Sequence, residues 1–145
     1  MKLNHENTVT QLTRLFLIFL FVYTSVNKLL NLNVFKQSMM TAHIPESLAA
    51  IISVIVPFSE LLLALLLIIN RTKNKGLYGS LSIMLTFTGY IIYMKLFLPK
   101  LPCSCGGIFQ KLTWNQHLLL NIIFIFLIYY VVRIDKIRTK QNLFI

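Results

Sequence analysis

Four long apolar runs, at residues 12–30, 48–69, 77–98 and 115–134, constrain this chain more than any other feature. A bilayer core of about 30 Å needs roughly 20 helical residues to cross it, so each run is long enough to span once. In hydrocarbon a spanning segment must satisfy its own backbone N–H and C=O groups, and for isolated runs of this length that means helix. The prediction is an all-α chain: an integral membrane four-helix bundle forming a single domain over residues 1–145.

Composition agrees with the runs. The chain is 57% hydrophobic and 12% charged, against about 25% charged for soluble domains. A globule of this size could not enclose so much apolar surface, so lipid is its expected solvent. Pro45 and Glu46 stand just before the second run and mark a helix start, and Pro99 and Pro102 close the third. The first run exceeds the usual apolar region of a signal peptide. NKLLNLN follows it rather than a small-residue cleavage site, so it reads as a retained span.

The net charge of +10 would suggest nucleic acid in a soluble protein. Here the basic residues cluster between apolar runs, and no nucleic-acid-reading motif accompanies them. Lys2, Arg14, Arg71, Lys73, Lys75, Arg133, Lys136, Arg138 and Lys140 fall on one side. Lys28, Lys36, Lys95, Lys100 and Lys111 fall on the other. The positive-inside bias then puts both termini and the Arg71–Lys75 loop in the cytoplasm. The segments 31–47 and 99–113 face outward, as expected of a protein in a bacterial inner membrane with its second outer loop in the periplasm.

That outer segment, LPCSCGGIF, carries both cysteines of the chain, Cys103 and Cys105. Thiols outside the cytoplasm meet an oxidising environment. A bridge between residues two apart closes a ring of about eleven atoms, which strains the preferred geometry. Strained, exposed disulfides tend to be labile or catalytic, and a staple over so short a loop removes little chain entropy. Gly106 and Gly107 leave room for a partner's sulfur. Lys100 and Lys111 flank the loop, while Lys28 and Lys95 sit within about two turns of the membrane face; nearby cations favour the thiolate. An inert local disulfide, or two unrelated thiols, is the alternative. A zinc site built on both cysteines and His117 lacks a fourth ligand, so no metal is expected.

Polar residues inside the spans are the second signal. Glu60 falls near the bilayer midplane, where an ionisable group is expensive and by default functional. No basic residue shares its depth by sequence position. It is therefore expected to be neutral or to face a wet cavity, with Thr86 and Thr88 at a level to hydrogen-bond it. It could serve as a proton relay or quinone contact, or as a structural carboxyl bridging helices. In the fourth run His117 and Asn121 are spaced i, i+4 and share a face, with Trp114 on the same stripe at interfacial depth. His117 could move protons during thiol exchange or simply cap a helix end. Trp114 reads as an interfacial anchor, and Tyr90 and Tyr93 as packing or belt residues.

With these residues placed, the sequence resembles the MauE/DoxX family of redox-associated membrane proteins, from about Leu12 to Val132. SVNKLL matches a Lys-Leu pair at the end of the family's first helix. IPESLAAIISVIVPFSELLLALLL is similar to its second helix, whose P-x-x-E core falls on Pro57 and Glu60. PCSCGGIFQKLTWNQHLLLN resembles the C-S-C-G-G variant of Bacteroidota members, followed by Trp and H-x-x-x-N. The methylamine-utilisation branch instead tends to have C-G-C-F-G and an Arg-Asn pair in the fourth helix, where this sequence has C-S-C-G-G and His117.

The resemblance implies a bundle that forms or manages disulfides in extracytoplasmic proteins. The expected activity is that of a membrane thiol–disulfide oxidoreductase or its accessory subunit. Cys103 and Cys105 would exchange with a thioredoxin-like or disulfide-containing client protein. A quinone near Glu60, His117 and Asn121 is the candidate cofactor, and Trp114, Lys95 and Lys28 are supporting residues. The alternative is a non-catalytic subunit that anchors or assembles a larger complex. Lipid is the expected surrounding and nucleic acid is not an expected partner.

Overall fold

The computed structural model describes residues 8–97 and 114–143. Their elements are α1 (Thr8–Leu30), α2 (Leu32–Thr41), α3 (Glu46–Ile68), α4 (Lys73–Phe97) and α5 (Trp114–Leu143), with no strand among the described residues. Four of these helices are long and apolar enough to cross a membrane: α1, α3, α4 and residues 115–134 of α5, with mean hydropathies of 1.6, 2.6, 1.4 and 2.1. The helices run past the apolar limits read from the sequence, because apolarity marks only the part that lipid can cover. Thus α4 begins at Lys73 and α5 continues through RIDKIRTKQNL.

The packing faces are those of a membrane bundle. On α1 the buried stripe is Thr10, Thr13, Leu17, Phe21, Ser25 and Lys28. On α3 it is Ala49, Ser53, Pro57, Glu60, Ala64 and Leu67. Both repeat at three- and four-residue steps and are rich in small or hydroxylated residues, which let helix backbones approach. Large apolar side chains such as Phe19, Phe58, Leu96 and Phe126 point outward. The inversion follows from the solvent: lipid accepts Phe and Leu as readily as a protein core does, so shape rather than apolarity decides which face packs.

Close approach is sharpest between α3 and α4. A Cβ built on Gly76 would lie 3.1 Å from both the side chain and the backbone nitrogen of Leu67, and one on Gly79 would lie 2.5 Å from Leu63 Cδ2. The main core joins Leu17, Phe21, Ala64, Leu67, Leu77, Met84, Ile128 and Val131 from all four long helices. At the end of α3, the Arg14 guanidinium donates to the Leu67 carbonyl at 3.2 and 2.8 Å and to Asn70 Oδ1 at 3.3 Å. It thereby satisfies a carbonyl that the helix end leaves without an N–H.

The segment between α1 and α3 corrects the sequence reading, which left residues 31–47 as an outer loop. Residues 32–41 form α2, whose Phe35 and Met39, one turn apart, pack with Ala49 of α3. At ten residues it is too short to span. It ends in a left-handed turn: His43 has φ 63°, and the N–H groups of His43 and Ile44 donate to the Met40 and Met39 carbonyls at 3.1 and 3.2 Å. This six-to-one and five-to-two pairing is a Schellman stop, and it turns the chain back toward α3.

Candidate functional site

Helices α1 and α3 run antiparallel, as the contact of Arg14 near the start of α1 with Leu67 near the end of α3 shows. An α-helical Cα–Cβ bond tilts toward its own helix N-terminus. On antiparallel neighbours these tilts oppose, so long side chains separated in depth can converge. Lys28 leans inward from the end of α1, Glu60 leans outward from the middle of α3, and Lys28 Nζ meets Glu60 Oε1. The ammonium also lies 4.4 Å from the centroid of the Phe87 ring and 5.5 Å from that of Phe35, within cation–π range. The two residues are 6% and 2% exposed.

This pair corrects the expectation that Glu60 has no cation at its depth. Sequence position gave the depths of the two Cα atoms; the lysine stem covers the difference. The expected threonine partners do not serve either. Thr86 Oγ1 donates to the Ser82 carbonyl at 2.9 Å and Thr88 Oγ1 to Met84 at 2.7 Å, the back-bonding usual for hydroxyls inside helices. Thr24 is a hydrogen-bonding neighbour of the carboxylate, and its hydroxyl also reaches the Phe21 carbonyl at 3.4 Å. Glu60 Oε2 is buried without a hydrogen bond.

The ion pair borders a cavity of about 250 Å³. Every described helix contributes to its wall: Phe21 and Thr24 from α1, Phe35 and Met39 from α2, Ile52 and Val56 from α3, Phe87 and Tyr90 from α4, and His117, Leu120 and Asn121 from α5. Polar groups are few and grouped, which is the usual composition of a small-molecule site. His117 and Asn121 share the cavity-facing stripe that their i, i+4 spacing predicts. Asn121 is 5% exposed, while His117 is half-buried. Tyr90, read from the sequence as packing or belt, also faces the cavity, whereas Tyr93 is exposed and packs on Phe97 with ring centroids 5.1 Å apart.

Lys95 is not brought to this site. It is exposed in the last turn of α4 and its ammonium donates to Asn115 Oδ1, tying that end of α4 to the start of α5. Trp114 opens α5, but its side chain lies outside the described residues, as do Cys103, Cys105, Lys100 and Lys111. By chain connectivity the segment bearing the cysteines joins the ends of α4 and α5 that Lys95 and Asn115 tie together. The cavity wall includes Tyr90, Ile91, His117 and Asn121 from those same ends.

Sequence reading did not find Phe35, Met39 and Phe87. The i, i+4 pair of Phe35 and Met39 was a signal for a short amphipathic helix. Phe87 carried none, since any aromatic in an apolar run looks alike before the helices are packed.

A family model described as methylamine utilisation protein MauE matches residues 6–133. No curated protein and no solved structure matches the chain.

Proposed function

The chain belongs to the MauE family of membrane proteins, and on that footing we propose that it is a membrane thiol–disulfide oxidoreductase, or the accessory subunit of one, working through Cys103 and Cys105. The observation that carries this reading is a built polar site in a sparsely polar membrane bundle. Lys28, Glu60, His117 and Asn121 line one cavity, at the end of the bundle where the cysteine segment joins α4 to α5. Charged and amide groups are costly at that depth, and a chain that needed only to anchor a complex would have little use for them.

In the proposed exchange a thiolate of an extracytoplasmic thioredoxin-like or client protein attacks one sulfur of the Cys103–Cys105 disulfide. The S–S bond breaks, a mixed disulfide forms, and the freed cysteine leaves as thiolate. A second thiolate of the attacking protein then displaces the remaining sulfur, leaving the partner oxidised and the pair reduced. Glu60, His117 and Asn121 would hold a quinone, which would supply the acceptor of two electrons and two protons that returns the pair to the disulfide. Within this reading the cysteine segment faces the periplasm from the inner membrane, as the distribution of Lys and Arg suggests.

Trapping tests the exchange. A Cys103→Ser or Cys105→Ser variant leaves one thiol, which attacks the disulfide of the oxidised partner in the reverse of the exchange and lacks the neighbouring cysteine that would release the adduct. One of the two is expected to hold a mixed disulfide with its partner, identifiable by mass spectrometry. Absence of an adduct from both variants, with each inserted at wild-type level, would sink the exchange reading. Changing both cysteines to Ser is expected to abolish disulfide formation in the client while leaving any complex assembled. Loss of assembly with unchanged client oxidation would favour the anchoring subunit.

A further inference from the structure

Lys28 and Glu60, two residues with complementary hydrogen-bonding groups, stand side by side in the cavity lining. Glu60 Oε2 is an acceptor, buried and without a hydrogen bond. The Lys28 ammonium carries three donors, and Glu60 Oε1 takes one of them. A buried polar atom left unsatisfied costs a substantial part of the desolvation of that atom, more when the group is charged. An oxygen in this position therefore calls for a donor from whatever fills the space. Around the pair the wall is apolar and aromatic, with Phe35 and Phe87 facing the ammonium.

The ligand that satisfies this wall is neutral, since the lysine and glutamate already balance each other. It is apolar over most of its surface, and it presents a hydroxyl as well as an oxygen acceptor. At about 250 Å³ the cavity lies just below the ~300–1,000 Å³ of pockets that enclose a drug-sized molecule. It therefore takes one ring-sized head, and any long tail remains in lipid.

We propose that this cavity binds the head of a lipid-soluble quinol in preference to the corresponding quinone, with Glu60 Oε2 accepting the quinol hydroxyl and Lys28 donating to a ring oxygen. This rests on the reading of the cavity as the quinone site and goes further in assigning its preferred oxidation state to Glu60. The quinone has only carbonyl acceptors, which leave Oε2 unsatisfied; the quinol supplies the missing donor. The linked reaction balances: two S–H bonds of the cysteine pair break and one S–S bond forms, while the quinone gains two electrons and two protons as two O–H bonds. Tighter binding of the quinol makes the bound couple a stronger oxidant by linkage, the direction that drives dithiol to disulfide.

The test is equilibrium binding of decyl-ubiquinol and decyl-ubiquinone to the purified full chain in lipid nanodiscs. It is run on a Cys103→Ser/Cys105→Ser background, so that thiol chemistry neither consumes the probe nor decides the result. The expected result is quinol binding about tenfold or more tighter than quinone, the scale of one hydrogen bond to a charged group. Glu60→Gln is expected to weaken quinol binding by about tenfold and to leave quinone binding within about twofold. If Glu60→Gln fails to insert, the double variant Lys28→Met/Glu60→Leu, which removes both charges, is expected to lose the preference. Equal affinities in the parent chain, no binding of either probe, or a preference that survives both variants would overturn the proposal. Failure of cysteine trapping with the quinol preference intact would instead count against thiol exchange alone.

Discussion

Lys28 at the end of α1 and Glu60 in the middle of α3, thirty-two positions apart, form a buried ion pair inside the bundle. The pair couples the two helices at the cavity wall. It also fixes which way the lysine points: into the protein rather than out to the membrane surface, where a lysine near a helix end usually reaches.

Breaking the pair from one side should be far more damaging than removing it. Lys28→Met or Glu60→Leu leaves one charge buried alone, and each is expected to destabilise by about 3–5 kcal/mol. The double variant, in which apolar side chains of similar volume replace both, is expected to recover most of that loss. Unfolding of the three variants in mixed detergent micelles measures the difference. A double variant as unstable as the sum of the singles would show that the pair is not coupled.

Alanine substitution at the glycines of α4 is expected to give a graded series. Gly76→Ala places a methyl 3.1 Å from the Leu67 backbone nitrogen, where the neighbour cannot step aside, and a loss of about 1–3 kcal/mol follows. Gly79→Ala meets Leu63 Cδ2, the far end of a flexible side chain, and should cost less. Gly89 has nothing within 4 Å of the added Cβ, so Gly89→Ala should be neutral or stabilising by up to about 1 kcal/mol through helix propensity. Thermal stability of the purified variants checks the order.

Arg14→Gln should loosen the far end of α3. The guanidinium supplies donors to the Leu67 carbonyl and Asn70, and their loss should cost about 1–3 kcal/mol. Amide hydrogen exchange is expected to rise around Ile69–Thr72 while the cavity half of α3 keeps its protection. Uniform protection across α3 in the variant would show that Arg14 does not hold this end.

Cys103 and Cys105 are the only cysteines of the chain, so sidedness has a direct readout. After reduction, a membrane-impermeant maleimide added to intact spheroplasts should label the wild-type protein. Labelling that appears only after lysis would reverse the orientation and the proposed oxidising compartment with it.

Sequence reading was strongest where one segment decides its own structure. Each apolar run of about twenty residues must be helical in hydrocarbon, and α1, α3, α4 and α5 follow. His117 and Asn121 reach one cavity because i, i+4 spacing on a single helix places them together before any packing occurs. Residues 32–41 were missed because a ten-residue amphipathic helix is too short to be dictated by the bilayer. Its stability comes from Phe35 and Met39 settling on Ala49, a contact made only after α3 folds back.

The sequence by itself therefore determined the spans, the shared face of His117 and Asn121 on α5, and the family to which the chain belongs. Tertiary structure decided the rest of the site. The depth of Glu60 and of Lys28 could be counted along the chain, but their meeting depends on antiparallel helices whose side chains lean in opposite directions. That geometry exists only between packed helices. It turns an expected solitary acid into a buried pair beside a cavity, at the end of the bundle where the segment bearing the cysteines joins α4 to α5.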